Sequence, residues 1–474
     1  MAWHKESPRL MSHTPHPGID PNATAIVRAL RQAGYETYIV GGAVRDLLTG
    51  MKPKDFDIST MATPEEVKRI FGRSAQIIGR RFKIVHVHKG RHVYEISTFR
   101  RTPTIEERKQ RDNDDGVMVW SDNCWGSPRE DAWRRDFTVN ALFLDPLDED
   151  CIIDFCKGRE DVEAGIVRSL GDPLVRFAED PVRMLRALKL VAQHEFRLND
   201  DVAAAIHELA PRLAQVSQRR LYEEILKLTH KPYLSRMIEL CDEFGLLEHL
   251  LPRASKLFLQ EEERDAVLHL LTLRDERVEH GASLSRAYSL AALCYRWVEI
   301  RLNHGSKFGD GWASYAGYDH DVRDAIEEFM APHNVTRLIA ARVRDTLILV
   351  QRIRYGGKAL KRLQRHPDWR YAVLLYETLA DIFDWPEVPV HEGGHNFHHH
   401  HDDDEDEDEE SAAASDDEDE DEEEGADADE DELAEPVAPG EINGETQSGK
   451  PKRKRKRRRK KKKSSGDGAA GGEA

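Results

Sequence analysis

The sequence predicts an α+β head, an all-helical second part and a charged, disordered tail. Three observations carry this. Helix-like and strand-like stretches mix up to about residue 150, helical periodicity takes over from about 160, and the composition changes abruptly near 386. At 474 residues the chain is too long for one ordinary domain. The expected organisation is a loose leader over 1–20, a head over 21–155, a helical neck over 156–230, a helical body over 231–385 and a tail over 386–474.

The head elements follow in order. ATAIVRALRQAGY (23–35) has apolar residues at helical spacing and a glycine at its end. The apolar run Tyr38–Val40 leads into Gly41 and Gly42, and AVRDLLTG then reads as a helix stopping at Gly50. DFDIST is strand-like. TPEEVKRIF is a capped helix, with Thr63 at the N-cap, Pro64 at N1 and Glu66 three residues on from Thr63. KIVHVHK, HVYEISTF and ALFLDP read as strands. The second part offers VRMLRALKLVAQ, DVAAAIHELA, LYEEILKL, LSRMIELCDEF, SLSRAYSLAALCYRWVEI and VTRLIAARVRDTLILVQRI, all helical in period.

Charge is unevenly placed. The net charge is −18, yet 28 of the 88 acidic and 13 of the 70 basic residues lie from 401 onward, so the rest is nearly neutral. The tail holds a histidine cluster near 398, acidic clusters to Glu435 and the basic run Lys450–Lys463, which includes Lys452, Arg453 and Lys454. Such segments bury too little apolar area to offset ordering entropy. Five cysteines without a CxxC pair argue against a disulfide framework. No apolar run approaches the roughly 18 residues of a membrane span, and Met1–Gly18 lacks the apolar stretch of a signal peptide. The expectation is a cytoplasmic protein without a membrane partner.

Asp55 and Asp57 stand at i and i+2 in an expected strand, which points both carboxylates to one face and Phe56 to the other. Paired carboxylates are a hard-oxygen platform for Mg²⁺, leaving coordination positions for triphosphate oxygens. The bland alternative is the polar face of an edge strand. Gly41 and Gly42, just upstream, let backbone approach a phosphate, and Arg45 lies one turn into the following helix. Glu179, Asp180 and Arg183 form a second set. Asp180–Pro181 reads as N-cap and N1, and the i+3 and i+4 spacings let the three heads converge and match the edge of a base. The alternative there is a capped helix with an ordinary ion pair.

Read together, GGAVRDLL…KPKDFDIS, EISTFR, EDAWRRDFTVNALFLD and EDPVRMLRALKL occur in order over about 23–230. This set resembles the bacterial poly(A) polymerase and CCA-adding tRNA nucleotidyltransferase family, whose head is polymerase-β-like. The resemblance implies template-independent polyadenylation of RNA 3′ ends from ATP, with CCA addition to tRNA as the alternative. It implies Asp55 and Asp57 as metal ligands, Glu95 as a third carboxylate, and Asp136 as a further catalytic acid. It leaves open which of Glu95 and Asp136 matters more. Gly41, Gly42, Arg45, Arg134, Arg135, Asn140, Glu179, Asp180, Arg183 and Arg186 are the implied nucleotide-binding residues. A structural ion-pair hinge is the alternative for Arg134–Asp136. IIGRRFKIVHV (77–87) is similar to the poly(A) polymerase branch, with Arg80, Arg81 and Lys83 forming a basic edge toward RNA. The basic run 450–463 would add sequence-independent phosphate binding. The implied partners are ATP and broad, mRNA-like RNA 3′ ends, with any RNA-decay partner unknown. An inactive RNA-binding protein and a tail-driven adaptor are the contrasting classes.

Overall fold

The computed structural model describes residues 9–10, 18–79, 83–102, 124–148, 151–303, 307, 309–312, 318–356 and 360–387. Arg80, Arg81, the insertion over 103–123, the histidine cluster and the acidic and basic tail segments, with Lys452, Arg453 and Lys454, lie outside the described residues.

The head is one mixed sheet. Its strands are β1 (Arg9–Leu10), β2 (Thr37–Val40), β3 (Asp57–Thr60), β4 (Ala75–Ile78), β5 (Ile84–Lys89), β6 (His92–Thr98), β7 (Leu142–Asp145) and β8 (Cys151–Asp154). Their order is β1-β8-β7-β2-β3-β6-β5-β4. Among the described strands of this sheet, only β3 and β6 pair in parallel. Three strands were not expected. Ala75–Ile78 and Cys151–Asp154 are four residues each, too short to show a period. Arg9–Leu10 is an edge strand inside the expected leader, held by pairing with Ile152 and Ile153.

Helices α1 (Pro21–Gln32), α2 (Gly42–Leu48), α3 (Pro64–Phe71) and α4 (Pro128–Arg134) belong to the head. The Thr63–Glu66 capping box is formed as expected, and Ser127–Glu130 forms a second at α4. One sheet face, with Ile39, Ile58 and Ile96 fully or nearly fully buried, joins a core that continues through the helices to Leu379. The other carries a smaller cluster of Tyr38, Val40, Phe99, Phe143 and Ile153 under Ala132 of α4.

After β8 the described chain is helical, apart from the short parallel ribbon Ile166–Val167 with Arg197–Leu198. Every helix expected in this part is present. Glu261–Glu279 was missed because charged residues interrupt its apolar stripe; Val267, Leu270 and Leu271 are nonetheless buried. No helix among the described residues is long and apolar enough to cross a membrane.

Candidate active site

Register builds the site. Asp57 pairs with Val40, the residue before the glycine turn, and Ile58 pairs with Ile96 on parallel β6. Ser59 Oγ lies 2.9 Å from Ser97 Oγ, so these two side chains share a face. Strand alternation puts Asp57 and Glu95 on that same face, away from the main core. Asp55 does not lie in the strand as expected: β3 starts at Asp57, and Asp55 sits in the loop before it. Phe56 is buried in the main core, as the alternation required.

Asp57 is reachable by solvent yet surrounded by protein mass, the situation of a group on a cleft floor. Burial pushes its pKa up to about 6, and the Glu95 and Asp55 carboxylates add to this while Arg135 opposes it. Neither Asp55 nor Asp57 makes an ion pair or side-chain hydrogen bond with a described residue. Asp57 feels the charges of both Asp55 and Glu95, and carboxylates without ion-pair partners are the donor type of a hard divalent cation, so these residues fit such an ion. Glu95 lies 3.7 Å from His86 across the β5–β6 pair.

Gly41 has φ 74° and ψ −130°, a backbone state open to glycine, and a Cβ there would come within 3.1 Å of Arg135 Nη1. Arg135 is fixed beside this turn. It donates to Asp131 Oδ2 at 3.0 Å, to Asn140 O at 3.3 Å and to Ser59 Oγ at 3.4 Å, and lies over the Phe143 ring. Arg134 is half-buried on the last turn of α4.

A polar chain then links the glycine helix to the neck. Arg45 donates to Asp46 at 2.7 Å and to Asn140 Oδ1 at 2.6 Å. Asn140 Nδ2 donates to Asp136 Oδ1 at 3.3 Å, and Arg186 lies 2.8 Å from Asp136 Oδ2. Arg45 is buried and fully engaged, so it orders Gly42 and Asn140 from behind the cleft. His194, whose Nε2 is 3.6 Å from Asp46 Oδ1, backs this chain; burial and then Arg45 push its pKa down to about 4, keeping it neutral.

The second set is arranged differently from the expectation. Asp180 is not the N-cap of a helix whose N1 is Pro181. It joins Pro173–Glu179 to Val182–His194, accepts from Val182 N and pairs with Arg220 at 2.9 Å. Glu179 and Arg183 do meet, at 3.4 Å. Arg176, missed in the sequence, shares Glu179 and donates to the carbonyls of Arg134 and Arg135 at 2.8 and 2.9 Å. It ties the neck to the RRDF segment. Asp131 and Arg220 were missed too; only Asp131, at i−4 from Arg135 on a helix, had a local signal. Lys83, on the expected basic edge and next to the β4–β5 pair, pairs with Glu65 at 3.0 Å on the surface.

Fold and site together define a nucleotidyltransferase: β3, the loop before it and the neighbouring β6 carry the three acids next to a glycine turn. A model described as the poly A polymerase head domain matches residues 37–168, and one described as a probable RNA and SrmB-binding site of polymerase A matches 195–258. Poly(A) polymerase I of Haemophilus influenzae is 36% identical over 371 residues, covering 76% of this chain and 80% of the relative. That of Salmonella typhi is 33% identical, covering 77% and 79%. The CCA-adding enzyme of Geobacillus stearothermophilus is 38% identical but covers 49% of this chain and 55% of its own. The crystal structure of the Bacillus stearothermophilus CCA-adding enzyme in complex with CTP aligns with TM-score 0.55 at 29% identity, covering 78% of this chain and 80% of that one. The chain belongs to the poly(A) polymerase family, within the wider group that includes the CCA-adding enzymes.

Proposed function

We infer that this protein adds adenylate residues to RNA 3′ ends without a template, using ATP and releasing pyrophosphate. One observation carries the choice over CCA addition. Similarity to the poly(A) polymerases runs through 76–77% of the chain, into the helical body, whereas similarity to the CCA-adding enzymes covers about half. The CCA-adding reading rests on the structural likeness to the CTP complex and is not better supported.

In this reading Asp55 and Asp57 would hold Mg²⁺, with Glu95 beside them. The ion would supply charge stabilisation for the phosphates and a more acidic 3′ hydroxyl. The chain's own groups do the positioning. Gly41 leaves room for a phosphate against its backbone, and Arg135 contributes a fixed positive charge next to Asp57. Asp136 holds Arg186 and, through Asn140, the glycine helix. Glu179 and Arg183 offer an acceptor and donors to the edge of a base, with Arg176 holding Glu179 in place. RNA 3′ ends of broad sequence are the proposed partner. Five cysteines free of disulfides accord with a cytoplasmic location.

An extension assay tests the reading. Purified protein is offered ATP alone or CTP with ATP, on an unstructured RNA and on a tRNA lacking CCA. Long A-tails on both RNAs are expected; arrest after three nucleotides on tRNA alone would refute polyadenylation. A second expectation concerns selection. Arg183→Ala removes base-edge donors, so the KM for ATP rises about tenfold, and discrimination against the other nucleotides falls by a similar factor. Competition assays with mixed nucleotides measure both.

A further inference from the structure

One polar row crosses three neighbouring strands of the sheet. His86 on β5 pairs in register with Glu95 on β6. Asp57 stands one residue before the parallel Ile58–Ile96 pair, so it continues the row onto β3. Residues directly across strands share a face, and neighbouring strands lie roughly 4.8 Å apart. His86, Glu95 and Asp57 are therefore consecutive members of one row. Val85, Ile96 and Ile58, each next in sequence to one of them, point the other way into the main core.

His86 is half-buried, and its Nε2 is shielded from solvent with no hydrogen-bond partner among the described residues. A shielded polar atom left unsatisfied in a folded protein calls for a reason. Glu95 Oε1 lies 3.7 Å from this nitrogen, within ion-pair range but too far for a hydrogen bond. A shift of less than about 1 Å would close that bond. Glu95 makes no other ion pair and no side-chain hydrogen bond with a described residue, and its side chain is 58% exposed. Neighbouring acids are held more firmly: Asp131 pairs with Arg135, and Asp136 with Arg186 and Asn140. A glutamate has much rotamer freedom, so an exposed one keeps a fixed direction only if something holds it.

Resting on the nucleotidyltransferase reading above, we propose that His86 is a positioning residue whose Nε2–H donates to Glu95 and holds that carboxylate toward the cation that Asp55 and Asp57 would bind. The order of the row supports this direction. Glu95 has His86 on its β5 side and Asp57 on its β3 side. A carboxylate accepts at both oxygens, so with Oε1 engaged by His86 the other oxygen stays free for an ion on the Asp57 side. A partner that orients a metal-facing carboxylate in this way is worth roughly 10–100-fold in metal affinity or activity.

The test uses full-length His86→Leu, His86→Gln and Glu95→Ala proteins and the double variant His86→Leu with Glu95→Ala. Steady-state extension is measured alongside melting curves over a Mg²⁺ series, each protein being compared with its own Mg²⁺-free Tm. His86→Leu should lower kcat about tenfold with the KM values for ATP and RNA unchanged. The Mg²⁺ concentration needed for a given rise in Tm should go up by a similar factor. His86→Gln keeps a donor on the row and should recover most of both. With Glu95 already replaced by alanine, His86→Leu should cost nothing further, because the two changes remove one interaction. An equal loss in both backgrounds would overturn the proposal in favour of a direct substrate contact or of hairpin packing. An unchanged Mg²⁺ dependence in His86→Leu would overturn it as well. If the wild type extended no RNA, the catalytic reading would fail, and the Mg²⁺ melting series would still decide on His86.

Discussion

Replacing Asp57 with asparagine is expected to abolish nucleotide transfer and, at neutral pH, to make the protein more stable. Loss of a carboxylate proposed to hold the cation costs several kcal/mol of transition-state stabilisation, so the rate should fall by about 10³-fold or more. The stability gain comes from the same carboxylate. Burial and the neighbouring acids raise its pKa to about 6 in the fold, above its unfolded value of 3.8. Between these values the folded state binds more protons than the unfolded state, so stability falls as pH rises and the penalty is complete above about 6. Asparagine cannot ionise and escapes it. Solvent access to the cleft screens the effect to roughly 1 kcal/mol, a rise of about 2 °C in Tm for a chain of this size. Melting curves of both proteins at pH 4.5 and 7.5 should show a clearly larger gain at the higher pH. Adding Mg²⁺ at pH 7.5 should raise the wild-type Tm and barely move the variant. An equal gain at both pH values would refute the electrostatic account.

Arg274→Leu is expected to be the most destabilising single change in the described body. The guanidinium has no exposed surface and pairs with Asp275 at 2.5 Å, which is itself buried. Leucine fills part of the volume but leaves Asp275 and the backbone carbonyls of Thr229 and Lys231 short of a donor. Stranding one member of a buried pair costs about 3–5 kcal/mol. Burial already holds the Asp275 carboxyl above the usual range, and Arg274 works against that. Without the arginine the folded pKa climbs further, so the deficit should grow as pH rises from 5 to 8. Thermal melts at both pH values measure it, with Arg274→Lys showing a smaller loss.

The candidate acids stood out in the sequence because their pattern is local. Asp57 opens the strand exposed while Phe56, just before it, is buried in the main core, and Gly41 marks a backbone state that other residues avoid. Asp55 shows the limit of this: its pattern read as strand, but the strand begins only where Val40 pairs with Asp57. Asp180 shows another. Asp-Pro is a good helix start, and Asp180 does accept from Val182 N, but Arg220, from a helix 40 residues on, shares its carboxylate, and the helix starts two residues later.

The sequence alone determined the kind of chemistry, the α+β head, the helical remainder and the residues whose roles follow from neighbours a few positions away. Only the tertiary structure decided that Arg176 binds the RRDF backbone, that Arg45 is buried against Asp46 and Asn140, and that Asp180 meets Arg220. Periodicity and capping act over one or two turns. Which charge meets which across 40 to 95 residues is set by how helices pack on the sheet, and packing free energy is spread over many apolar contacts with no short motif.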